Sequence, residues 1–118
     1  MKYLFALLLA APVYACKCEG VPNAVKSLNR SDVAFVGKLV QKGPGEASYK
    51  VEESFKNAAD IMKIRFGGVG TSCQANIPDR AVLWAEKRAD GLWITACTIR
   101  DADVYTELVQ SFRAARGR

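Results

Sequence analysis

Two cysteines, Cys16 and Cys18, stand where an apolar leader gives way to a polar segment. Residues 1–15 have a lysine near the start, an apolar run and a small residue, Ala15, at the end, a pattern that predicts a secretory signal peptide. Cleavage after Ala15 would make Cys16 the first residue of a mature domain at 16–118. A free α-amine has a pKa near neutral, so the amine and the carbonyl oxygen of Cys16 can together chelate a metal ion.

All four cysteines of the chain follow the leader: Cys16, Cys18, Cys73 and Cys97. An even number after an export signal predicts two disulfides and a secreted or periplasmic location, although the sequence alone allows three pairings. The chain has no histidine, and Cys-x-Cys is not the usual zinc-knuckle spacing, so we expect no metal of its own and no cofactor. The apolar run of the leader is also too short to span a membrane.

The residues for enzymatic chemistry are largely missing. Without histidine, the Ser-His-Asp and Cys-His arrangements cannot form. Glu52 and Glu53 are neighbours on a predicted strand and should therefore point to opposite faces. We expect that the protein is not an enzyme.

The charge of the chain is +5, but its basic residues are scattered and form no long run. Scattered charge is typical of solvated faces and does not favour a nucleic-acid partner. Trp84 and Trp93 flank a predicted hairpin, where cross-strand packing is favoured over a stacking platform for single strands.

The apolar pattern predicts a short helix from Pro22 to about Asn29, followed by five strands and a C-terminal helix. The strands are expected at 33–42, 47–57, 61–66, 81–88 and 91–100, with a hairpin turn at Ala89-Asp90-Gly91. The last helix lies within 101–118, with Asp101 or Asp103 as its cap and an apolar stripe formed by Val104, Leu108 and Phe112. This order suits one mainly β domain, a five-stranded Greek-key barrel of OB type with a short N-terminal helix and a C-terminal helix. The apolar period alone does not distinguish such a barrel from a sandwich.

Three features together resemble the N-terminal inhibitory domain of the tissue inhibitors of metalloproteinases, a netrin-like module. They are the processed Cys16-Lys17-Cys18 start, Ser72-Cys73 after a glycine-rich loop, and the block AVLWAEKRADGLWITAC at 81–97. The resemblance covers most of 16–118 and also implies an OB-type barrel.

The resemblance implies a mechanism in which the amine and carbonyl of Cys16 bind the catalytic zinc of a target protease. It implies disulfides Cys16–Cys73 and Cys18–Cys97. The side chain of Lys17 would enter the pocket beside the zinc, and the rest of an inhibitory ridge would be formed by Cys18, Glu19, Gly20, Val21, Pro22, Val69, Gly70, Thr71 and Ser72. The expected partner is a zinc metalloprotease, and the inhibitor itself is expected to be a monomer.

The chain departs from the family at Lys17, where the family has a small or hydroxyl-bearing residue. Burying an ammonium group in an apolar pocket is costly, so a target with a polar or acidic pocket is expected. The family's third disulfide and second domain have no counterpart here. Two alternatives remain open: a netrin-like binding module that does not inhibit proteases, and a lipoprotein that is anchored to a membrane at Cys16.

Overall fold

The computed structural model describes Cys18 and residues 20–116, so the predicted signal peptide at 1–15 lies outside the described residues. In chain order the elements are α1 (Ala24–Arg30), β1 (Val33–Gly43), β2 (Glu46–Lys56), β3 (Ile61–Phe66), β4 (Arg80–Arg88), β5 (Gly91–Ile94), β6 (Ile99–Asp101) and α2 (Thr106–Arg116). In this part of the chain, no helix has the length and apolar character needed to cross a membrane.

Five strands close into a barrel of OB type. Strand β1 pairs antiparallel with β2 along one edge and with β4 along the other. Strand β2 pairs antiparallel with β3, and β4 pairs antiparallel with β5. The ring closes through parallel pairing of β3 with β5, in which Ile64 lies opposite Leu92 and Phe66 opposite Ile94. The predicted mainly β fold, with one helix before the barrel and one after it, is confirmed.

Strand β1 at 33–36 and strand β4 at 81–85 are buried on both faces, because the barrel interior lies on one side and the helices lie on the other. Their residues alternate between two apolar clusters, as the period of two in a strand requires. The barrel interior contains Val33, Phe35, Tyr49, Ile64, Ala81, Leu83 and Ala85. The cluster under the helices contains Leu28, Ala34, Val36, Phe55, Val82, Trp84, Leu108 and Phe112.

The two helices pack on the same side of the barrel. Helix α1 is capped at its start by Asn23, whose Oδ1 accepts a hydrogen bond from the backbone N of Lys26 at 3.0 Å. At its end, Lys56 Nζ donates to the carbonyl oxygens of Leu28 and Ser31, both at 2.7 Å. These bonds satisfy carbonyl groups that a helix end leaves without partners.

Helix α2 is held by aromatic packing and by ion pairs. The ring of Phe112 is stacked on Phe55 with the centroids 5.2 Å apart and lies 5.4 Å from Trp84. At the edge of this contact, Arg113 Nη2 and Arg116 Nη2 lie 2.8 and 3.1 Å from the carboxylate of Glu53.

Two details of the C-terminal third differ from the prediction. The expected fifth strand at 91–100 is divided into β5 and β6, with a turn at 95–98 between them. The last helix begins at Thr106 rather than near Asp101, because Asp101 forms a turn in which its backbone oxygen accepts the N–H of Val104 and of Tyr105. Val104 is therefore 71% exposed and does not belong to the apolar stripe, whereas Leu108 and Phe112 are buried as predicted.

Candidate functional site

A disulfide joins Cys18 to Cys97, the pairing that the resemblance implied. Cys97 lies in the turn between β5 and β6, where its backbone N donates to Thr95 Oγ1 at 3.1 Å. The same turn is closed by a bond from Thr95 N to Thr98 Oγ1 at 2.9 Å and by one from Thr98 N to Thr95 O at 3.1 Å. The N-terminal segment is thus anchored to a turn that is itself fixed by hydrogen bonds.

Gly20, Val21 and Pro22, three residues of the predicted ridge, lie between this disulfide and the cap of α1. Gly20 has a φ of +47°, a left-handed conformation that favours glycine. Val21, a large apolar side chain, is 74% exposed. The segment therefore presents apolar surface to solvent while both of its ends are fixed, by Cys18 and by the Asn23 cap.

The second predicted part of the ridge, Val69–Ser72, forms tight turns that are stabilised from within. Thr71 Oγ1 donates to Gly68 O at 2.5 Å and accepts the backbone N–H of Cys73 at 3.1 Å. Gly70 N donates to the side-chain oxygen of Gln74 at 2.8 Å. Positive φ angles of 73° at Gly68 and 80° at Gly70 make these turns possible. The loop is exposed, and Val69 is 50% accessible at its tip.

Cys73, which follows this loop, is disulfide-bonded. The other residue of its implied bridge, Cys16, lies outside the described residues, as do Lys17 and Glu19. The Cys16–Cys73 pairing and the placement of the chelating atoms therefore remain predictions. Among the residues that the structure describes, the hydrogen bonds of the loop at Val69–Ser72 join partners within 68–74.

A shallow cleft lies beside the Cys18–Cys97 disulfide and adds residues that the sequence analysis did not assign to the site. It is bordered by Cys18, Gly20 and Val21 on one side, and by Arg100, Val104 and Tyr105 on the other. The Arg100 guanidinium lies 5.7 Å from the ring centroid of Tyr105 and 6.0 Å from that of Trp84, which holds the arginine over apolar surface. The spacing of Val104 from Leu108 and Phe112 predicted a buried position on the last helix. Its exposure beside the cleft could therefore not be predicted from the sequence.

The described residues offer no metal site of their own: within Cys18 and 20–116, no three Cys, Asp or Glu side chains are grouped so that they could hold an ion. What this surface offers is a rigid, partly apolar edge around Cys18. Such an edge suits contact with another protein.

No family model matches the chain, and a search of curated proteins finds no match either.

Proposed function

We propose that the protein is an exported inhibitor of zinc metalloproteases, and that it binds the catalytic zinc of its target through the α-amine and carbonyl oxygen of Cys16. The observation that carries this proposal is the disulfide between Cys18 and Cys97, two residues beyond the chelating position. A catalytic zinc keeps one coordination position for water or substrate, and a chelating terminus can take that position.

Anchoring is the physical requirement of this mechanism. A free N-terminus loses conformational entropy when it is ordered on binding, which weakens the complex. Cys18 is fixed to the hydrogen-bonded turn at 95–98, and Pro22 and Asn23 restrict the chain on the other side. In this proposal the Cys16–Cys73 disulfide that the resemblance implies is a second anchor, and Cys73 is disulfide-bonded. A terminus held in this way loses little further conformational entropy when it binds.

The exposed apolar residues around Cys18 support a protein partner rather than a small molecule. Val21, Val104 and Tyr105 are exposed large apolar side chains, and all three border the cleft beside the disulfide. In this proposal Gly20–Pro22 and Val69–Ser72 flank the substrate cleft of the protease, and Lys17 enters the pocket next to the zinc.

An exported location is part of the proposal. Disulfides form and persist in oxidising compartments, and the Cys18–Cys97 bond is of this kind. The predicted signal peptide at 1–15 would deliver the chain to the periplasm or the cell exterior, and its removal would create the free amine of Cys16.

The test is an N-terminal extension. The exported protein is purified, its start at an unmodified Cys16 is checked by intact mass, and its inhibition constants are measured against a panel of zinc metalloproteases. One alanine inserted before Cys16 should weaken inhibition by about 100-fold or more, because loss of even a supporting group around a zinc ligand costs 10–100-fold. The matched control carries one alanine after Arg118 and should inhibit like the parent.

Two results would contradict the mechanism. Inhibition that survives the N-terminal alanine would show that the amine does not chelate, and partner binding without inhibition would favour the netrin-like module. A lipid mass on Cys16 would mean that the chain is an anchored lipoprotein, whose acylated amine cannot bind zinc.

A further inference from the structure

A groove of about 560 Å³ lies between α1 and the barrel, next to the N-terminal segment. One wall is formed by the exposed side of α1, and the other by β4, β5 and the turn at 95–98. The charged residues that line it are Lys26, Arg30, Glu86 and Arg88. We refer to it as the α1 groove. Its lining therefore contains three cationic side chains and one carboxylate.

Two of the cations are free to meet a ligand. Lys26 and Arg30 are four residues apart on α1, so their side chains project from the same face of the helix. In the described part of the chain, neither side chain has a carboxylate oxygen within the 4.0 Å that defines an ion pair. The hydroxyl group of Ser27, which lies between them in sequence, also lines the groove.

The third cation, Arg88, is held in place by an aromatic ring. Its guanidinium carbon lies 5.2 Å from the ring centroid of Trp93, and Trp93 Nε1 in turn donates to Asp90 Oδ1 at 2.7 Å. Arg88 Nε lies 3.3 Å from Glu86 Oε1, a contact that occupies one of its five N–H groups. The remaining N–H groups can donate to a bound anion.

A nearby acid, Asp90, does not line the groove, although its charge acts on Arg88. It accepts the Trp93 indole N–H and lies 3.8 Å from Arg65 Nη1. The hydrogen bond from Trp93, together with the neighbouring arginines, holds the pKa of Asp90 below its usual range. Glu86 is thus the carboxylate that remains in the lining, against three cations.

We propose that the α1 groove is a binding site for a small ligand with at least two sulfate or phosphate groups. Arginine and lysine donate charge-assisted hydrogen bonds to such oxyanions, and three cations on two walls can serve more than one anionic group. Lys26 and Arg30 on the helix wall take one group, and Arg88 on the barrel wall takes the other. The proposal does not depend on inhibition, because none of these three cations belongs to the proposed inhibitory ridge.

The probes are inorganic tripolyphosphate and sucrose octasulfate, which present phosphate and sulfate groups on small molecules. Binding to the full exported protein is measured by isothermal titration calorimetry and by amide chemical shifts. Binding should weaken as salt rises, because the groove is open to solvent and its charges are screened. Shifts should centre on Lys26–Arg30 and on the indole N–H of Trp93. Tighter binding of one probe identifies whether phosphate or sulfate is the preferred group.

The discriminating variant is Lys26→Gln with Arg30→Gln. Glutamine has a helix propensity close to that of lysine and arginine, so α1 should be retained. Loss of two charge-assisted donors should raise the dissociation constant for each probe by about 10- to 100-fold. The matched control is Lys42→Gln with Lys50→Gln, which removes the same charge from exposed strand positions that do not line the groove. The control should bind like the parent.

Equal weakening in both double variants would overturn the proposal, since it would show attraction to the net charge alone. A failure of both probes to bind at millimolar concentration would also overturn it. An alanine inserted before Cys16 should leave probe binding unchanged. If the protein binds the probes but does not inhibit, the proposed inhibitor function fails and this site stands. If it inhibits but does not bind the probes, the site fails and the inhibitor function stands.

Discussion

Cys18 and Cys97 are joined across 79 residues of chain, with their Cα atoms 5.3 Å apart. A loop of this length loses much of its entropy in the unfolded chain when it is closed by a covalent bond. Replacing both cysteines with serine should therefore lower the free energy of unfolding by about 4 kcal/mol. Urea denaturation of the variant and the parent, both non-reduced, measures this difference. A loss below about 1 kcal/mol would mean that the bond does not constrain the unfolded chain as this length requires.

Gly37 is required by close packing inside β1. A Cβ atom at this position would lie 2.9 Å from the backbone oxygen of Lys50 and 3.1 Å from Tyr49 Cβ. Since the oxygen belongs to the paired strand β2, it cannot move away without breaking the barrel wall. Gly37→Ala should destabilise the protein by about 1–3 kcal/mol, measured by chemical denaturation.

The control for Gly37 is Gly43→Ala at the end of the same strand, where the nearest atom would be 3.7 Å away. This substitution should change stability by less than about 0.5 kcal/mol, as ordinary surface changes do. Equal effects of the two substitutions would show that glycine content in β1, rather than the contact with β2, sets the cost.

The ion pair between Glu53 and Arg113 should make stability depend on pH in the acid range. The hydrogen bond from Arg113, helped by Arg116, lowers the pKa of Glu53 in the folded protein below its usual value. The pair therefore stabilises the fold above the ordinary glutamate pKa of 4.5, and this stabilisation is lost as pH falls through the lower folded pKa.

Glu53→Gln should lower the melting temperature near neutral pH by about 1–4 °C, because the pair is partly exposed to solvent. Melting curves from about pH 7 to about pH 3 should show the difference from the parent shrinking as the pH falls. Arg113→Gln should remove the larger share of the same pH dependence, because Arg116 still pairs with Glu53. A difference that stays constant over this range would exclude titration of Glu53 as its origin.

Lys17 should determine which proteases are inhibited. In the proposed complex its ammonium group enters the pocket beside the zinc, where an apolar lining would leave the charge without compensation. Lys17→Ser should therefore tighten inhibition of enzymes with apolar pockets by about tenfold or more. It should weaken inhibition of enzymes with acidic pockets. Inhibition constants against both classes test this, and an unchanged ranking would place Lys17 outside the pocket.

Much of the barrel could be predicted because its strands follow a simple apolar period. The first four predicted strands agree with β1 to β4 within one residue at each end, and the fifth begins at Gly91, where β5 begins. The hairpin at Ala89-Asp90 joins β4 to β5 as expected. The division of the fifth strand could not be predicted, because the turn at 95–98 contains no glycine or proline. It depends on the hydroxyl groups of Thr95 and Thr98, which bond to the local backbone.

The faces of β2 were harder to predict for a related reason. Tyr49 and Phe55 have the same parity, yet Tyr49 lies in the barrel interior and Phe55 under the helices. The register of β1 with β2 shifts between Val36 and Gly37, opposite the part of β2 that lies between Tyr49 and Phe55, and this shift exchanges the faces. Such bulges arise from closure of the barrel and leave no periodic signal.

The part of the candidate site that could be predicted from the sequence is the part formed by disulfide-bonded cysteines. Cys18 and its partner follow from cysteine chemistry and the resemblance, whereas the exposed Val104 and Tyr105 depend on where α2 begins. The start of α2 is fixed by the turn at Asp101, and the spacing of apolar residues in the helix gives no indication of this turn. The α1 groove likewise requires the packing of the helix against β4 and β5.

The closure of the barrel also sets an order of events during biogenesis. Strand β1 needs β4 as a neighbour, and β3 needs β5, so the first pairing waits for the chain to emerge past Arg88 and the second for Ile94. A chain that leaves a ribosome or a translocation channel from its N-terminus exposes Cys18 and Cys73 well before Cys97. The native bond of Cys18 can therefore form only after nearly the whole barrel has emerged, and any earlier bond to another cysteine has to be exchanged.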